Sequence, residues 1–309
     1  MRQAELTIER VPIRLGATLY APEASTPLPA VLLLHGSGPD GRENPYYQQL
    51  VESFTSRGIA TLVYDKRGSG ASTGDWREVP FTALIDDAEA ALRQLRQHPW
   101  IDSSRVGIWG GSEGATLAAM VAARAPSVAF VIVQSMSGPP FGEQYRFQAA
   151  REFRGQPSDS VAAVTLVDAK LAYLRGTIAW SVYDSLARAS AGRSFAAYAS
   201  PSTPDSWWWR WYATKVDVSA LPSLAALRTP VLAVWGAADV LVPADTSSAL
   251  VRAARSPLRQ AGDEILVIPD ASHTLHVPGL RGLFAGAGLR NRPVHLREMT
   301  AWAATQVAR

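Results

Sequence analysis

The chain contains no cysteine. That absence excludes a disulfide framework, a thiolate nucleophile and any zinc site built on cysteine, whatever compartment the protein occupies. Lysine is almost as scarce, Lys66, Lys170 and Lys215 being the only three among 30 basic residues. So strong a bias toward arginine reads as compositional, and no function is attached to it. No run of five like charges occurs and the formal net charge is only +3, so neither nucleic acid nor another polyanion is expected as a partner. Long apolar runs are missing too. The uncharged stretch 125–142 is interrupted by Pro126, Gln134, Ser135, Ser137, Pro139 and Pro140, which excludes a membrane span there, and no integral membrane association is expected. Residues 1–14 carry Arg2, Glu5, Glu9, Arg10 and Arg14 without an apolar core, so no signal peptide is read there and a cytoplasmic location is expected.

What is present belongs to a folded protein. The 309 residues are 47% hydrophobic and 18% charged, with 23 Gly and 21 Pro, far from the composition of disorder. Two alternating runs, 5–10 and 13–20, flank Val11-Pro12 and predict an opening antiparallel pair. Thereafter compact apolar runs at 31–34, 59–64, 106–109 and 128–133 alternate with helical patterns at 46–57, 82–97 and 115–124, the first with Asn44 as N-cap and Pro45 in its first turn. Strands buried on both faces and separated by helices imply a parallel sheet of βαβ units. The rhythm stops at Gly138 and resumes at Pro230, with strands at 231–235 and 264–268 and helices near 246–255 and 294–307. A crossover needs only about a dozen residues, so residues 139–229 are expected to form an inserted, mostly helical cap, with helices at 161–174 and 179–188 and a loop at 192–205. Residues 1–138 and 230–309 then form the catalytic core.

Two segments match Gly-x-Ser-x-Gly, the pattern that places a serine on a tight turn between strand and helix, where flanking side chains would clash. Gly70-Ala71-Ser72-Thr73-Gly74 has neither a strand directly before it nor a helix directly after it, and reads as loop. Gly110-Gly111-Ser112-Glu113-Gly114 follows Val106-Gly107-Ile108-Trp109 and precedes an alanine-rich helix. Ser112 is therefore the expected nucleophile.

A serine hydroxyl needs a base, most often a histidine held by a carboxylate. His273 follows the run 265–268 and would emerge at the carboxyl end of a strand, where α/β sheets place their sites. His98 and His295 are expected at the surface, the latter in the terminal helix, and His35 is expected to order its loop. His276 makes a His-x-x-His pair with His273, but no further ligand cluster accompanies it, so no metal is expected. Asp239, after the strand 231–235, is the expected orienting acid, with Asp245 in reserve. Asp270 is expected to cap its loop, and Asp65, Asp86 and Asp87 to be structural. The oxyanion that forms on attack needs preorganised donors; the backbone N–H groups of Glu113 and of Ser37, in His35-Gly36-Ser37-Gly38, are the candidates. The same loop spells a dinucleotide fingerprint, Gly36-x-Gly38-x-x-Gly41, but Pro39 and the Asn44-Pro45 cap start the helix too late to present its terminus to a pyrophosphate. No cofactor is expected.

The order Ser112, Asp239, His273, each after a parallel strand, together with His35-Gly36-Ser37-Gly38 and Gly-x-Ser-x-Gly, resembles the α/β-hydrolase superfamily. The resemblance is to its serine aminopeptidase-like and esterase branch, similar also to the catalytic domain of prolyl oligopeptidases, and covers roughly 5–135 and 215–307. The segment Asp65-Lys66-Arg67-Gly68-Ser69-Gly70-Ala71-Ser72 matches that branch's Asp-x-Arg-Gly-x-Gly-x-Ser loop, which the resemblance implies is structural. The implied fold is a mostly parallel sheet with antiparallel N-terminal strands, helices on both faces and a helical cap insertion. Epoxide hydrolases and haloalkane dehalogenases of this fold carry Asp at the elbow and dienelactone hydrolases carry Cys, so Ser112 points away from those chemistries; a prolyl oligopeptidase would need a propeller, for which the chain has no room. The expected activity is metal-free hydrolysis of a small-molecule carboxylic ester. A peptidase or acyl thioesterase would use the same groups, and a noncatalytic ligand receptor would keep the pocket without the intact triad. Within the cap, Trp207, Trp208, Trp209, Trp211 and Tyr212 crowd together; on a helix Trp207 and Trp211 share one face, as do Trp208 and Tyr212. Trp207, Trp208 and Trp211 are candidate substrate contacts, against the alternative that the rings only dock the cap.

Overall fold

Alternation of side chains sets the first two strands. β1 (Arg2–Arg10) buries Ile8 and pairs antiparallel with β2 (Ile13–Ala21) in a hairpin that turns at Val11-Pro12. From there the interior strands are largely apolar on both faces, whereas the last strand, at the sheet edge, leaves Glu264 and Leu266 exposed. β3 (Leu28–Leu34), β4 (Ala60–Tyr64), β5 (Ile101–Gly111), β6 (Val131–Gln134), β7 (Val231–Gly236) and β8 (Glu264–Ile268) complete one sheet in the order β1-β2-β4-β3-β5-β6-β7-β8. β2 pairs antiparallel with β4, and every pairing from β4 to β8 is parallel. The computed structural model describes residues 1–125, 127–258, 260–277 and 295–308.

The period-2 rule divides each interior strand between two cores. Leu32, Leu34, Leu62 and Ile108 point to one side; Val31, Leu33, Val63 and Trp109 point to the other. The second side is covered by α1 (Pro45–Thr55) and α10 (Leu296–Val307) through Leu50, Val51, Phe54, Met299 and Trp302. The first is covered by α2 (Phe81–Gln97), α3 (Glu113–Arg124) and α9 (Ala244–Arg255), with Ile85, Leu92, Leu117 and Val251 inward. Asn44 caps α1 as expected, its side chain accepting the Tyr46 N–H at 2.9 Å. His295 does not lie within the last helix but at its N-cap; Val294, the expected first residue of that helix, lies outside the described residues.

Between β6 and β7 the chain builds α4 (Phe141–Glu152), α5 (Pro157–Leu174), α6 (Trp180–Ala189), α7 (Trp207–Ala213) and α8 (Leu221–Ala226). Residues 192–205 are irregular except for a single 3-10 turn, Ala196–Ala199. α8 packs on α3 and α9, so it joins the helical layer of the sheet although it precedes β7. No helix of the described residues is long and apolar enough to cross a membrane.

Candidate active site

β5 passes into α3 through a single residue, Ser112, whose backbone sits at φ +55°, ψ −119°. A side-chain-bearing residue there stores about 1 to 3 kcal/mol of strain, and its surroundings hold it in place: the Ser112 N–H donates to the Gln134 carbonyl at 2.8 Å. The glycines are required by contact. A β-carbon on Gly110 would lie 2.1 Å from the Gly114 carbonyl oxygen, and one on Gly114 would lie 2.2 Å from that of Leu34. The other Gly-x-Ser-x-Gly segment is a run of turns. There the Ser72 hydroxyl donates to the Asp65 carbonyl at 2.6 Å and accepts the Gly16 N–H at 3.0 Å, while the Asp65 carboxylate accepts the N–H groups of Ala71 and Arg42 at 2.8 and 3.0 Å.

Asp239 follows β7 and His273 follows β8, and the two meet, with His273 Nδ1 2.7 Å from Asp239 Oδ2. The other oxygen of Asp239 accepts the N–H groups of Leu241 and Val242 at 2.8 and 3.0 Å. A buried carboxylate with one oxygen held by two backbone N–H groups can orient an imidazole through the other. The end of β6 ties the loops together, since the Ser135 hydroxyl donates to the His273 carbonyl at 2.7 Å and the preceding residue, Gln134, holds the Ser112 N–H. Ser112 and His273 thus border one rim of the sheet. The other histidines are engaged elsewhere. His35 is buried edge-on between Tyr47 and Tyr64, and burial pushes its imidazole down to about 4, leaving it neutral. His98 Nδ1 accepts the Trp100 N–H at 3.2 Å, and His276 Nδ1 meets Thr274 Oγ1 at 2.8 Å. No group of three or more metal-ligating side chains occurs among the described residues. Asp245 lies in the first turn of α9, and Asp270 adopts φ +58° in the turn before His273.

Ser37 and Glu113 are joined by a network that the sequence did not disclose. The Glu113 side chain is wholly buried between two buried ammonium groups, with Lys66 Nζ 3.0 Å from Oε1 and Lys215 Nζ 2.5 Å from Oε2. The Ser37 hydroxyl donates to the same Oε2 at 3.1 Å, and Lys66 Nζ also donates to the Gly36 carbonyl at 2.7 Å. Burial alone would raise the Glu113 carboxyl, but the two lysines outweigh it and hold it at about 2. Burial lowers the Lys215 ammonium more than its share of one carboxylate restores. Lys215 also stands 3.5 Å above the ring of Trp211.

A cavity of about 610 Å³ opens on Ser112 and Ser37, walled by Phe141, Tyr145, Trp207, Trp208, Trp211, Tyr212 and Lys215. His273 is not among the residues lining it. The residues of α7 fall on the expected faces. Trp208 stacks on Tyr212 at 4.6 Å between ring centroids, and Trp207 and Trp211 both pack against Trp76 of the body, at 5.4 and 5.1 Å. The same helix therefore packs on Trp76 and lines the cavity, while Trp209 turns toward α5 and α6 against Tyr173, Trp180 and Tyr183. Behind the wall lies Lys170, fully buried, its Nζ donating to the Ser200 carbonyl at 2.6 Å and standing 4.9 Å from the Trp208 ring. All three lysines of the chain are thus buried in or beside this site. Their rarity in an arginine-rich chain was the one available signal.

The family model described as Serine aminopeptidase, S33 matches residues 25–277. The chain belongs to that family. Among curated proteins it is 32% identical over 123 residues to the quorum-quenching protein AidA of Acinetobacter baumannii, covering 40% of each chain. It is 28% identical over 142 residues to the esterase EstD of Thermotoga maritima, covering 44% of this chain and 33% of that one. The match thus spans well under half the length of these relatives. Solved structures share the α/β-hydrolase fold over essentially the whole S33 chain. These include DcsB in complex with its substrate analogue (TM-score 0.65, 19% identity, 100% of both chains) and the Pyrococcus furiosus esterase PF2001 (TM-score 0.63, 16% identity, 100% of this chain and 91% of that one). Est1E from Butyrivibrio proteoclasticus with ferulic acid bound is a third (TM-score 0.60, 17% identity, 98% of this chain and 100% of that one).

Proposed function

We propose that the protein hydrolyses a small-molecule carboxylic ester through an acyl-enzyme. Ser112 Oγ attacks the ester carbonyl, His273 takes its proton and returns it to the leaving alcohol, and Asp239 keeps the imidazole oriented and stabilises its charged form. The N–H groups of Ser37 and Glu113 receive the oxyanion, and water then releases the acyl group by the same route. These steps call for no metal or cofactor. The inserted segment 139–229, apart from α8, acts as the cap, with Trp207, Trp208 and Trp211 shaping the acyl or aryl pocket.

One observation carries the reading: a serine held at a strained strand-to-helix turn faces an aromatic cavity, on the rim that also anchors a paired Asp239 and His273. The family description names an aminopeptidase, but an α-ammonium substrate needs a carboxylate to receive it. No described residue lining the cavity is acidic, and its one charged lining residue is Lys215. The electrostatics favour a neutral or anionic ester over an amino-terminal peptide. A fluorophosphonate probe followed by a panel of p-nitrophenyl and aryl esters tests the assignment. The label is expected on Ser112, and Ser112→Ala is expected to lose several orders of magnitude in turnover with its fold intact. Wild-type turnover in that variant would end the proposal.

A further inference from the structure

The cluster around Glu113 is more than packing, because of where its bonds end. Both proposed oxyanion donors belong to residues it holds. One is Glu113 itself. The other is the N–H of Ser37, part of the peptide whose carbonyl is that of Gly36, and this carbonyl accepts from Lys66 Nζ at 2.7 Å. In a trans peptide the C=O and N–H point in opposite directions. A cation fixed on the carbonyl side therefore sets the direction of the N–H on the other.

We propose that Lys66, anchored by Glu113, is a positioning residue that turns the Gly36–Ser37 peptide so that its N–H faces the carbonyl oxygen under attack. The inference rests on the reading of Ser112 as nucleophile. Three observations support it. A β-carbon on Gly36 would lie 3.7 Å from that of Ser112, so this peptide is at the nucleophile. Gly36 lacks a side chain and Gly38 adopts φ +86°, so the peptide sits in a loop with little intrinsic preference for one orientation. Two contacts remove that freedom: Lys66 holds the carbonyl, and the Ser37 hydroxyl is tied to Glu113 Oε2 at 3.1 Å. The ammonium also polarises the peptide, which strengthens the N–H as a donor. Lys66 touches no substrate; it acts through the peptide. Because Glu113 has two lysines, removing Lys66 leaves a neutral Glu113–Lys215 pair rather than an orphaned charge, which makes the variant informative.

Lys66→Met is the test, measured on a p-nitrophenyl ester with Tm in parallel. Asp87→Asn is the control for lost stability alone; it weakens the buried pair with Arg67, the residue after Lys66, whose guanidinium meets Asp87 at 2.6 and 2.9 Å without touching Gly36. Lys66→Met is expected to lower kcat on the order of 10- to 100-fold with KM within about twofold, and to slow phosphonylation of Ser112 in parallel, since that reaction builds charge on the same donors. Asp87→Asn is expected to keep kcat within about twofold at a comparable loss of Tm. Ser37→Ala cuts the hydroxyl tie without removing a charge and should lower kcat several-fold. The inference is overturned if Lys66→Met keeps wild-type kcat, or if both lysine and aspartate variants lose kcat in step with Tm. Should Lys66→Met yield no folded protein, wild-type kcat in Ser37→Ala overturns it. A dead Ser112→Ala beside a fully active Lys66→Met would sink this inference alone; a fully active Ser112→Ala would sink the proposed function with it.

Discussion

Replacing Glu113 by Gln removes one negative charge from a site where two ammonium groups depend on it. The carboxyl is held at about 2 against an ordinary value of 4.5 by Lys66 and Lys215 despite the opposing effect of burial. At 1.36 kcal/mol per pKa unit that difference corresponds to about 3 kcal/mol, which agrees with the low end of what breaking a buried ion pair costs. An unfolding entropy of about 2.1 cal/mol/K per residue gives a 309-residue chain about 0.65 kcal/mol/K near its midpoint, so Glu113→Gln should lose about 5 °C in Tm at pH 7. The pH dependence follows from the direction of the shift. A carboxylate whose folded value is depressed contributes stability that is complete above the unfolded value and disappears as pH falls toward the folded one. The gap between wild type and Glu113→Gln should therefore be flat from pH 7 to 5 and close between about pH 4.5 and 2. Urea unfolding at a series of pH values, followed by tryptophan fluorescence, measures it. A variant within 1 °C of wild type at pH 7, or a gap unchanged down to pH 3, would refute the view that this carboxylate neutralises the site.

Trp208→Ala opens the cavity wall and exposes the face of Tyr212, and should raise KM for aryl esters roughly tenfold while altering acyl-length preference, as an ester panel will show. Trp211→Ala, by contrast, removes the ring under Lys215 and the contact with Trp76, and should cost about 3 kcal/mol by urea titration. Burial lowers the Lys170 ammonium to about 7, so the unfolded chain binds more protons between about pH 7 and 10.5; wild-type stability should rise relative to Lys170→Met over that window by roughly 5 kcal/mol. Gly114→Ala should destabilise by at least about 2 kcal/mol and abolish turnover, because the added carbon would meet the Leu34 carbonyl at 2.2 Å. Helix propensity alone predicts the opposite sign, a gain of about 1 kcal/mol, so one denaturation curve decides.

Much of this architecture was legible in one dimension because its signals are local. The apolar runs of β3 to β8 and the Asn44 cap depend on neighbours within a few residues, and so does the discrimination between the two Gly-x-Ser-x-Gly segments, which turned on the elements directly before and after each. Local pattern also foresaw the pairing of rings on α7. It did not reveal that α8 returns to the sheet before residue 230, since a six-residue helix carries too little periodicity to assign a partner.

The roles of the lysines lay beyond local pattern. Lys66 follows β4, Lys170 sits in α5 and Lys215 just after α7, and nothing in their immediate sequence marks them as buried. Only folding brings Lys66 and Lys215 onto a single carboxylate at the base of α3, and only there does a rare residue type become an electrostatic device. Covalent neighbours specify strands, turns and the serine elbow because those depend on backbone sterics and short-period hydrophobicity. Which charges share a low-dielectric pocket depends on through-space distance across 47 and 102 positions of chain, and Coulomb energy at such a site is decided by the packing that brings them together.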